Sequence, residues 1–198
     1  LAGTNSSVVF PASITDVPAS MFRNNECYDI TFAADMTLLG DLKINGTLTG
    51  VNSITTGDNT LTFGPSAVLP TFDEDDHVIG NLKRTVTSSA VTYPVGDGTA
   101  ATYRPITLQF SNAGSSQEIT VSSEYVDPTI GRRGNPKNAV NVLWNITPNG
   151  TNENDSLKLT FQWDADAELT GANGKVALAN ASFPAKWTGT EWDDYRNN

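Results

Sequence analysis

The sequence predicts an all-β protein in which a short β-solenoid-like N-terminal part packs on an antiparallel β-sandwich. Apolar residues recur every six positions between residues 30 and 54. Longer segments of alternating apolar and polar residues follow residue 72, and no segment has the apolar spacing of an amphipathic helix. We therefore assign residues 1–72 to the solenoid-like region and residues 73–198 to the sandwich.

The six-residue repeat predicts the solenoid. Its apolar positions are Ile30, Met36, Leu42, Leu48 and Ile54, after which the series slips by one residue to Leu61. Glycine, aspartate and asparagine fill the intervals, as turns between short strands require. A repeat of this kind is typical of a parallel β-helix. We expect about two coils between residues 30 and 64, with Ile30, Leu48 and the segment Phe10–Ile14 in one column.

A β-meander is the alternative for this region. Its hairpin turns would lie at Asn45-Gly46 and Asp58-Asn59, and Asn-Gly is a strong hairpin signal. Strands and turns of a meander usually repeat every 8 to 12 residues or so. The shorter spacing found here favours the solenoid.

The region after residue 72 predicts a sandwich because its strands are longer and its connections fuller. The candidate strands are His77–Thr87, Ala90–Val95, Arg104–Ser111, Gln117–Tyr125, Val140–Thr147, Ser156–Asp164 and Gly174–Asn180. Trp144 and Trp163 fall on two of them and are interpreted as core residues. The turn Gly96–Thr99 is interpreted as ordinary hairpin chemistry.

Composition excludes several classes of function. The chain has 12 basic and 22 acidic residues and a formal charge of -10, so it lacks the basic surface that nucleic-acid binding needs. No apolar run is long enough to span a membrane. Cys27 is the single cysteine and His77 the single histidine, so neither an intrachain disulfide nor a multi-histidine metal site can form. We predict that the protein is not an enzyme.

Two acidic clusters are candidates for cation binding. Asp164, Asp166 and Glu168 alternate along a predicted strand, which would place their carboxylates on one face as a calcium half-site. The run Asp73–Asp76 is interpreted as a solvated loop. No cofactor is required by the sequence, and calcium is the one ion that it suggests.

Two features of the sequence could involve sugars. Sequons of the N-X-S/T form begin at Asn5, Asn45, Asn145, Asn149, Asn154 and Asn180, and they are glycan acceptors if the host has the machinery. Near the C-terminus, Trp187, Trp192 and Tyr195 could stack on sugar rings. The alternative for these aromatic residues is that they close the end of the sandwich.

A family resemblance rests on the order of several motifs. They are Tyr28–Phe32, Gly40–Leu48, Asp58–Gly64, Gly80–Arg84, Tyr93–Asp97, Tyr103–Leu108, Val142–Thr147 and Phe161–Glu168. In this order they resemble the repetitive β-rich surface proteins and adhesins of Bacteroidetes and related bacteria, many of which leave the cell by the type IX route. The resemblance covers about residues 28–192. It implies an extracellular structural or adhesive role without catalytic residues. Modules of this kind usually continue into a further strand, so the sandwich here is expected to be one strand short.

The missing strand of the sandwich and the short solenoid predict assembly with other copies of the chain. A sandwich that lacks an edge strand can accept one from another chain. So short a solenoid would also show apolar side chains and open backbone at both ends. Residues 4–11 could supply the donor strand, with Val8, Val9 and Phe10 as its apolar part. The alternative is that this segment caps the chain's own solenoid.

We therefore predict a structural subunit of an extracellular filament or cell-surface assembly, which polymerises by strand complementation. The alternative function is a carbohydrate-binding or adhesin module of a larger secreted protein. Since the chain begins Leu1-Ala2-Gly3 without a methionine, we expect a mature or excised chain whose signal peptide is gone.

Overall fold

The computed structural model describes residues 7–50, 52–98, 103–125, 142–150, 156–162, 185–187 and 192–194. The fold is nearly all β, with a solenoid-like arrangement of about four turns and antiparallel sheets, which confirms the predicted fold class. The strands are β1 (Ser7–Phe10), β2 (Asp16–Val17), β3 (Glu26–Cys27), β4 (Asp29–Phe32), β5 (Met36–Leu38), β6 (Leu42–Ile44), β7 (Leu48–Thr49), β8 (Ile54–Phe63), β9 (Val78–Val86), β10 (Val91–Tyr93), β11 (Val95–Gly96), β12 (Ile106–Phe110), β13 (Gln117–Tyr125), β14 (Val142–Pro148), β15 (Leu157–Phe161), β16 (Ala185–Trp187) and β17 (Trp192–Asp194). Two short 3-10 turns, Ala19–Met21 and Arg23–Asn25, lie between β2 and β3.

Parallel strands stack on three faces of the solenoid. The first face holds β1, β4 and β7. The second holds β2, β5 and the first halves of β8 and β9, followed by β11. The third holds β3, β6 and the second halves of β8 and β9. Because all of these pairings are parallel, the β-meander alternative is excluded.

The whole solenoid has more coils than the six-residue repeat spans. About four turns are present, and residues 30–64 supply about two of them, as that repeat predicted. The repeat covers only part of the solenoid, because β1 to β3 form a coil before it and β9 forms one after it. The register also corrects the predicted column: Val8 stands beside Ile30 and Leu48, whereas Phe10 stands beside Phe32.

Aromatic rings fill the first coil. The rings of Phe10 and Phe22 have centroids 6.4 Å apart, and those of Phe10 and Phe32 are 5.7 Å apart. All three side chains are buried, as is Val17 of the same coil. The core of the solenoid is therefore covered at this end, while Val9, Ile14 and Met21 keep the expected exposed apolar side chains. What remains open on this coil is the outer backbone edge of its strands.

The sandwich and the last coil of the solenoid share strand β9. The second half of β9 pairs antiparallel with β13, and β14 follows β13 in the same sheet. A second sheet has the order β10-β12-β15. Tyr93 joins the two layers, since its hydroxyl donates to the carbonyl oxygens of Arg84 (3.1 Å) and Ile119 (2.9 Å). Strand β9 thus belongs to the solenoid and to the sandwich at once.

The chain divides into two compact units. One comprises residues 1–123 with 144–162, and the other comprises residues 124–143 with 163–198. The predicted boundary at residue 72 falls inside the first unit. In the second unit, β16 and β17 form an antiparallel hairpin. The predicted strand Gly174–Asn180 lies outside the described residues.

Candidate assembly site

Aspartates at the corners set the register between coils. One stands directly before each of three buried repeat positions, and each accepts a hydrogen bond from a backbone N–H of the next coil. The bonds join Asp29 Oδ1 to Thr47 N (2.6 Å), Asp35 Oδ1 to Ser53 N (3.0 Å) and Asp41 Oδ1 to Thr60 N (2.8 Å). These aspartates are themselves six residues apart. This six-residue spacing of aspartates is a sequence signal of coil stacking that the apolar repeat alone does not reveal.

Asparagine side chains add a second set of contacts between coils. Asn52 Nδ2 donates to the carbonyl oxygen of Phe32 (2.8 Å), and Asn59 Nδ2 donates to that of Leu38 (2.9 Å). Polar corner residues therefore satisfy backbone groups that the turns leave without a strand partner. The coils are held in one register by side chains as well as by the ladders between strands.

The outer edge of the first coil has no strand beside it within the described residues. There β1 pairs only with β4, β2 only with β5, and β3 only with β6. The carbonyl oxygen of Phe10 accepts from Ala33 N at 3.1 Å, so the backbone groups of Val8 and Phe10 point towards β4. Because the direction alternates along a strand, the N–H and C=O of Ser7 and Val9 point outwards.

Apolar side chains accompany this open backbone. Val9 is 64% exposed, Met21 50% and Ile14 43%, and all three lie in the first coil. We call the outer sides of β1, β2 and β3 together with these side chains the first-coil edge. An uncovered sheet edge with apolar side chains can be extended by another strand.

The predicted assembly residues lie in this edge. Val8, Val9 and Phe10 form β1, which pairs in parallel register with β4 of the same chain. Residues 7–10 thus form the first rung of the chain's own solenoid, which is the alternative that the sequence left open. Residues 4–6 lie outside the described part. Whether the outer side of β1 takes a strand from another copy stays a prediction.

The predicted cation site cannot be placed, because Asp164, Asp166 and Glu168 lie outside the described residues. Within the described ranges no group of three His, Cys, Asp or Glu side chains is arranged to hold a metal ion.

The Asp73–Asp76 loop has hydrogen bonds within itself, since Asp73 Oδ1 accepts from the backbone N–H groups of Asp75 (3.0 Å) and Asp76 (3.2 Å). Burial and the nearby carboxylates of Asp73, Asp35 and Asp75 raise the pKa of Asp76.

His77 follows this loop and is buried. It is 5% exposed, and neither ring nitrogen makes a hydrogen bond of normal geometry to a described residue. Its ring lies 5.8 Å from that of Tyr103. Burial lowers the pKa of His77, although the backbone of Asp73 and Glu74 and the carboxylates of Asp97 and Asp76 favour its charged form.

A buried ion pair lies where a plain turn was predicted. Arg104 is 1% exposed, and its guanidinium donates to the carboxylate of Asp97. The carbonyl oxygen of Arg104 also accepts from Trp144 Nε1 at 3.0 Å. The ring of Trp144 packs against that of Phe161, with centroids 4.9 Å apart. These contacts agree with the prediction that Trp144 is a core residue rather than a ligand platform.

The sequons differ in access. Asn145 and Asn149 are exposed on β14 and in the turn after it. Asn45 is half-buried at a corner, where its Oδ1 lies 2.7 Å from the point that a Cβ at Gly64 would occupy. Asn5, Asn154 and Asn180 lie outside the described residues. Of the sequons that are described, Asn145 and Asn149 have the more open positions.

The predicted sugar-stacking residues fall in the second unit. Trp187 and Trp192 are register partners in the hairpin of β16 and β17. Tyr195 lies outside the described residues, as does Trp163. No helix in the described part of the chain is long and apolar enough to cross a bilayer.

Comparisons with known proteins found no matching family model, no matching curated protein and no matching solved structure.

Proposed function

We propose that the protein is a structural subunit of an extracellular filament or cell-surface assembly, in which copies join through open sheet edges. The observation that carries the proposal is the first-coil edge, where β1 presents the backbone groups of Ser7 and Val9 away from β4. Apolar side chains flank these groups, so a strand that docks there gains both hydrogen bonds and apolar contacts.

Open-ended growth follows if the first-coil edge meets a different surface of the next copy. A contact between the first-coil edge and a different surface of the next copy is heterologous, and such contacts extend into filaments unless the rotation closes a ring. The resemblance to secreted β-rich surface proteins supports an extracellular site of action, and the single cysteine does not exclude one.

The test is a proline placed on the outer edge. Val9→Pro removes an outward-pointing N–H and leaves the hydrogen bonds between β1 and β4 in place, because proline is tolerated where the amide faces away from the sheet. Val9→Thr is the matched control, since it keeps the amide and the branched side chain. We expect wild type and the threonine variant to form filaments by negative-stain electron microscopy, and the proline variant to sediment as a small species.

Thermal unfolding of all three proteins checks that the proline variant is folded. Filaments of undiminished length in folded Val9→Pro protein would show that the first-coil edge does not join the copies. A wild-type protein that stays monodisperse at every concentration would remove the proposal altogether.

A carbohydrate-binding or adhesin module is the second candidate. The register pairing of Trp187 with Trp192 favours it, because neighbouring tryptophans are a common way to hold sugar rings. Affinity electrophoresis of wild type, Trp187→Ala and Trp192→Ala in gels containing soluble polysaccharides tests this function. Retardation of wild type that both variants lose would support it, and equal mobility of all three proteins in every gel would exclude it.

A further inference from the structure

The sequence contains the tripeptide Asn-Gly-Thr twice, at residues 45–47 and at residues 149–151. The first Asn-Gly pair lies at a corner of the solenoid, where Asn45 is half-buried and Gly46 is buried. The second pair follows β14, and both Asn149 and Gly150 are exposed. Because the two tripeptides are identical, a difference in reactivity between their asparagines has to come from the fold.

An asparagine followed by glycine can modify itself without an enzyme. The backbone nitrogen of the glycine attacks the side-chain Cγ of the asparagine, so that a new C–N bond forms and the bond from Cγ to Nδ2 breaks. The glycine amide gives up its proton and Nδ2 takes one up, so ammonia leaves and a five-membered succinimide ring remains. Water then opens the ring at either carbonyl, which produces aspartate or isoaspartate. Glycine favours the attack because it has no Cβ to obstruct ring closure and permits the backbone angles of the ring.

The fold holds the Asn45-Gly46 pair against this reaction. Gly46 N, the attacking atom, donates to the carbonyl oxygen of Tyr28 at 2.8 Å. On the other side, the carbonyl oxygen of Gly46 accepts from Val68 N at 3.0 Å. The space around Gly46 is also filled, since a Cβ there would lie 2.5 Å from Asp29 Oδ1. The backbone that has to rotate is therefore fixed by hydrogen bonds to the coils on both sides.

The contacts of the Asn149-Gly150 pair restrain its reacting groups less. Asn149 N donates to the carbonyl oxygen of Glu118 at 2.9 Å, which fixes the backbone before Asn149 and leaves the following bonds free to turn. Gln117 Nε2 donates to the carbonyl oxygens of Asn149 (3.3 Å) and Gly150 (2.7 Å). These last two bonds come from one side chain rather than from a neighbouring strand, so they break at small cost. A Cβ at Gly150 would lie 4.0 Å from that same Nε2 atom, so the glycine is not tightly packed against it.

We propose that Asn149 is a site of spontaneous deamidation in the folded protein, and that the solenoid protects Asn45 from the same reaction. The aspartate product carries a new carboxylate, and the isoaspartate product also lengthens the backbone by one methylene group. Either product adds one negative charge to a chain whose formal charge is -10. The reaction needs only water, and it does not depend on whether copies of the chain assemble.

Deamidation changes the contacts between the end of β14 and strand β13. Asn149 Nδ2 donates to Glu118 Oε2 at 3.3 Å, so after the reaction two carboxylates stand where an amide met a carboxylate. Like charges at this distance repel each other, and the link between the two strand ends is lost. The reaction also removes the sequon at Asn149, because the nitrogen that would carry a glycan leaves as ammonia.

The two tripeptides control for each other in one full-length chain. Wild type is kept at mildly alkaline pH, either folded or unfolded in guanidinium chloride, and samples are digested at intervals. Mass spectrometry gives the fraction converted at each asparagine, and heavy-oxygen water marks each new carboxyl group with a solvent oxygen. In the folded chain we expect Asn149 to react about tenfold faster than Asn45 or more, since Asn45 reacts only when its corner opens locally. In guanidinium chloride the two rates should be similar.

Equal rates at the two sites of the folded chain would overturn the proposal. So would a folded chain in which Asn149 stays intact while the unfolded chain reacts. A difference that persists unchanged in guanidinium chloride would also overturn it, because the fold would then not be its cause.

Asp29→Ala tests the protection of Asn45 separately. Asp29 Oδ1 accepts from Thr47 N at 2.6 Å, so its loss should loosen the corner and raise the rate at Asn45 several-fold. The rate at Asn149 in the same molecules should not change. An unchanged rate at Asn45, or an equal increase at both sites, would show that this corner does not provide the protection.

The consequence for β13 and β14 can be tested with the product made directly. Asn149→Asp places a carboxylate beside Glu118, whereas Asn149→Ser removes the amide without adding charge. We expect hydrogen exchange in residues 142–150 to be faster in the aspartate variant than in the serine variant, and Glu118→Gln to abolish the difference. Equal exchange in the two single variants would show that the new charge does not loosen the strand ends.

Discussion

Single carboxylates at the corners of the solenoid join neighbouring coils, a role that the composition of the chain does not suggest. The excess of acidic residues predicts a soluble surface, yet Asp29, Asp35 and Asp41 each hold a backbone N–H of the neighbouring coil. A charged acceptor strengthens such a bond, and its loss leaves the corner amide without a partner. Part of the negative charge of this protein is therefore tied to the stacking of its coils.

Asp29 gives a direct test of this role. Its carboxylate is half-buried and accepts from Thr47 N, so Asp29→Ala should lower the free energy of unfolding by about 1–2 kcal/mol. Asp29→Asn keeps an acceptor oxygen and should lose less. Asp58→Ala, at an exposed corner position, is the control and should change stability by less than about 0.5 kcal/mol. Urea titration followed by circular dichroism measures all three, and equal losses for Asp29→Ala and Asp58→Ala would contradict the role.

His77 predicts a specific dependence of stability on pH. Burial lowers its pKa in the folded chain below the ordinary 6.5, so the unfolded chain takes up the proton first as pH falls. Stability should be unaffected by this group above that value and should decrease as pH falls through it towards the lower pKa of the folded state. The ring of Tyr103 lies beside that of His77, Asp73 acts on the imidazole through its backbone, and the carboxylates of Asp76 and Asp97 favour the charged form.

The single histidine makes this prediction easy to isolate. We expect the melting temperature of wild type to fall between about pH 7 and pH 5.5 more steeply than that of His77→Phe, which packs beside Tyr103 but cannot titrate. All other titratable groups are common to both proteins, so the difference between the two curves reports His77 and its interaction with Asp76 and Asp97. Parallel curves would mean that the imidazole charges as readily in the folded chain as in water.

At the scale of elements, β8 and β9 bend around a corner without ending. Each contributes its first half to the second face of the solenoid and its second half to the third face. The register between them shifts at Gly57, and Gly80 has a φ of +111° with Thr56 Oγ1 only 2.2 Å from where a Cβ would stand. Thr56 Oγ1 in turn accepts from Asn81 N at 2.8 Å. Glycine allows both the backbone angle and the close approach at this bend.

Gly50 and Gly57 form a matched pair for testing the corners. Both have positive φ, of +93° and +58°, but a Cβ at Gly50 would lie 2.0 Å from the carbonyl oxygen of Phe32, whereas a Cβ at Gly57 would meet nothing within 4 Å. Gly50→Ala should therefore destabilise the protein by about 3 kcal/mol or more, through both strain and the clash. Gly57→Ala should cost about 1 kcal/mol from backbone strain alone. Chemical denaturation of the two variants compares them, and equal losses would show that the corner at Gly50 can relax.

The positions of several strands could be predicted from local sequence patterns. The predicted segments His77–Thr87, Arg104–Ser111 and Gln117–Tyr125 contain β9, β12 and β13, because alternation of apolar and polar residues is a local property. The direction in which the backbone of Val9 points is not local. It depends on the pairing of β1 with β4, so the sequence could nominate residues 8–10 for assembly but could not say which of them faces outwards.

At the scale of the molecule, β9 makes the solenoid and the sandwich of the first unit depend on each other. Leu82 in this strand is fully buried and has Leu61 of β8 on one side and Val121 of β13 on the other. Unfolding of either part would remove one neighbour of β9 and uncover its core face. We therefore expect the two parts to unfold together rather than in separate steps.

Hydrogen exchange measured by mass spectrometry can check this cooperativity. With rising denaturant, peptides from residues 29–44 of the solenoid and from residues 106–121 of the sandwich should converge on one exchange profile. Leu82→Ala should speed exchange in both sets of peptides by similar factors, since it opens a cavity in the shared strand. Exchange that accelerates in only one set would show that the two parts open independently.

The sequence by itself determined that this chain is built of strands, where most of those strands lie, and that an early region repeats every six residues. These properties follow from side-chain alternation and turn residues, which act over a few neighbouring positions. Only the tertiary structure decided that the solenoid has about four turns, that Asp97 and Arg104 form a buried pair, and that β1 has a strand on one side only among the described residues. Each of these depends on which distant segments meet, and pairing energy between strands is set by partners that local patterns do not specify.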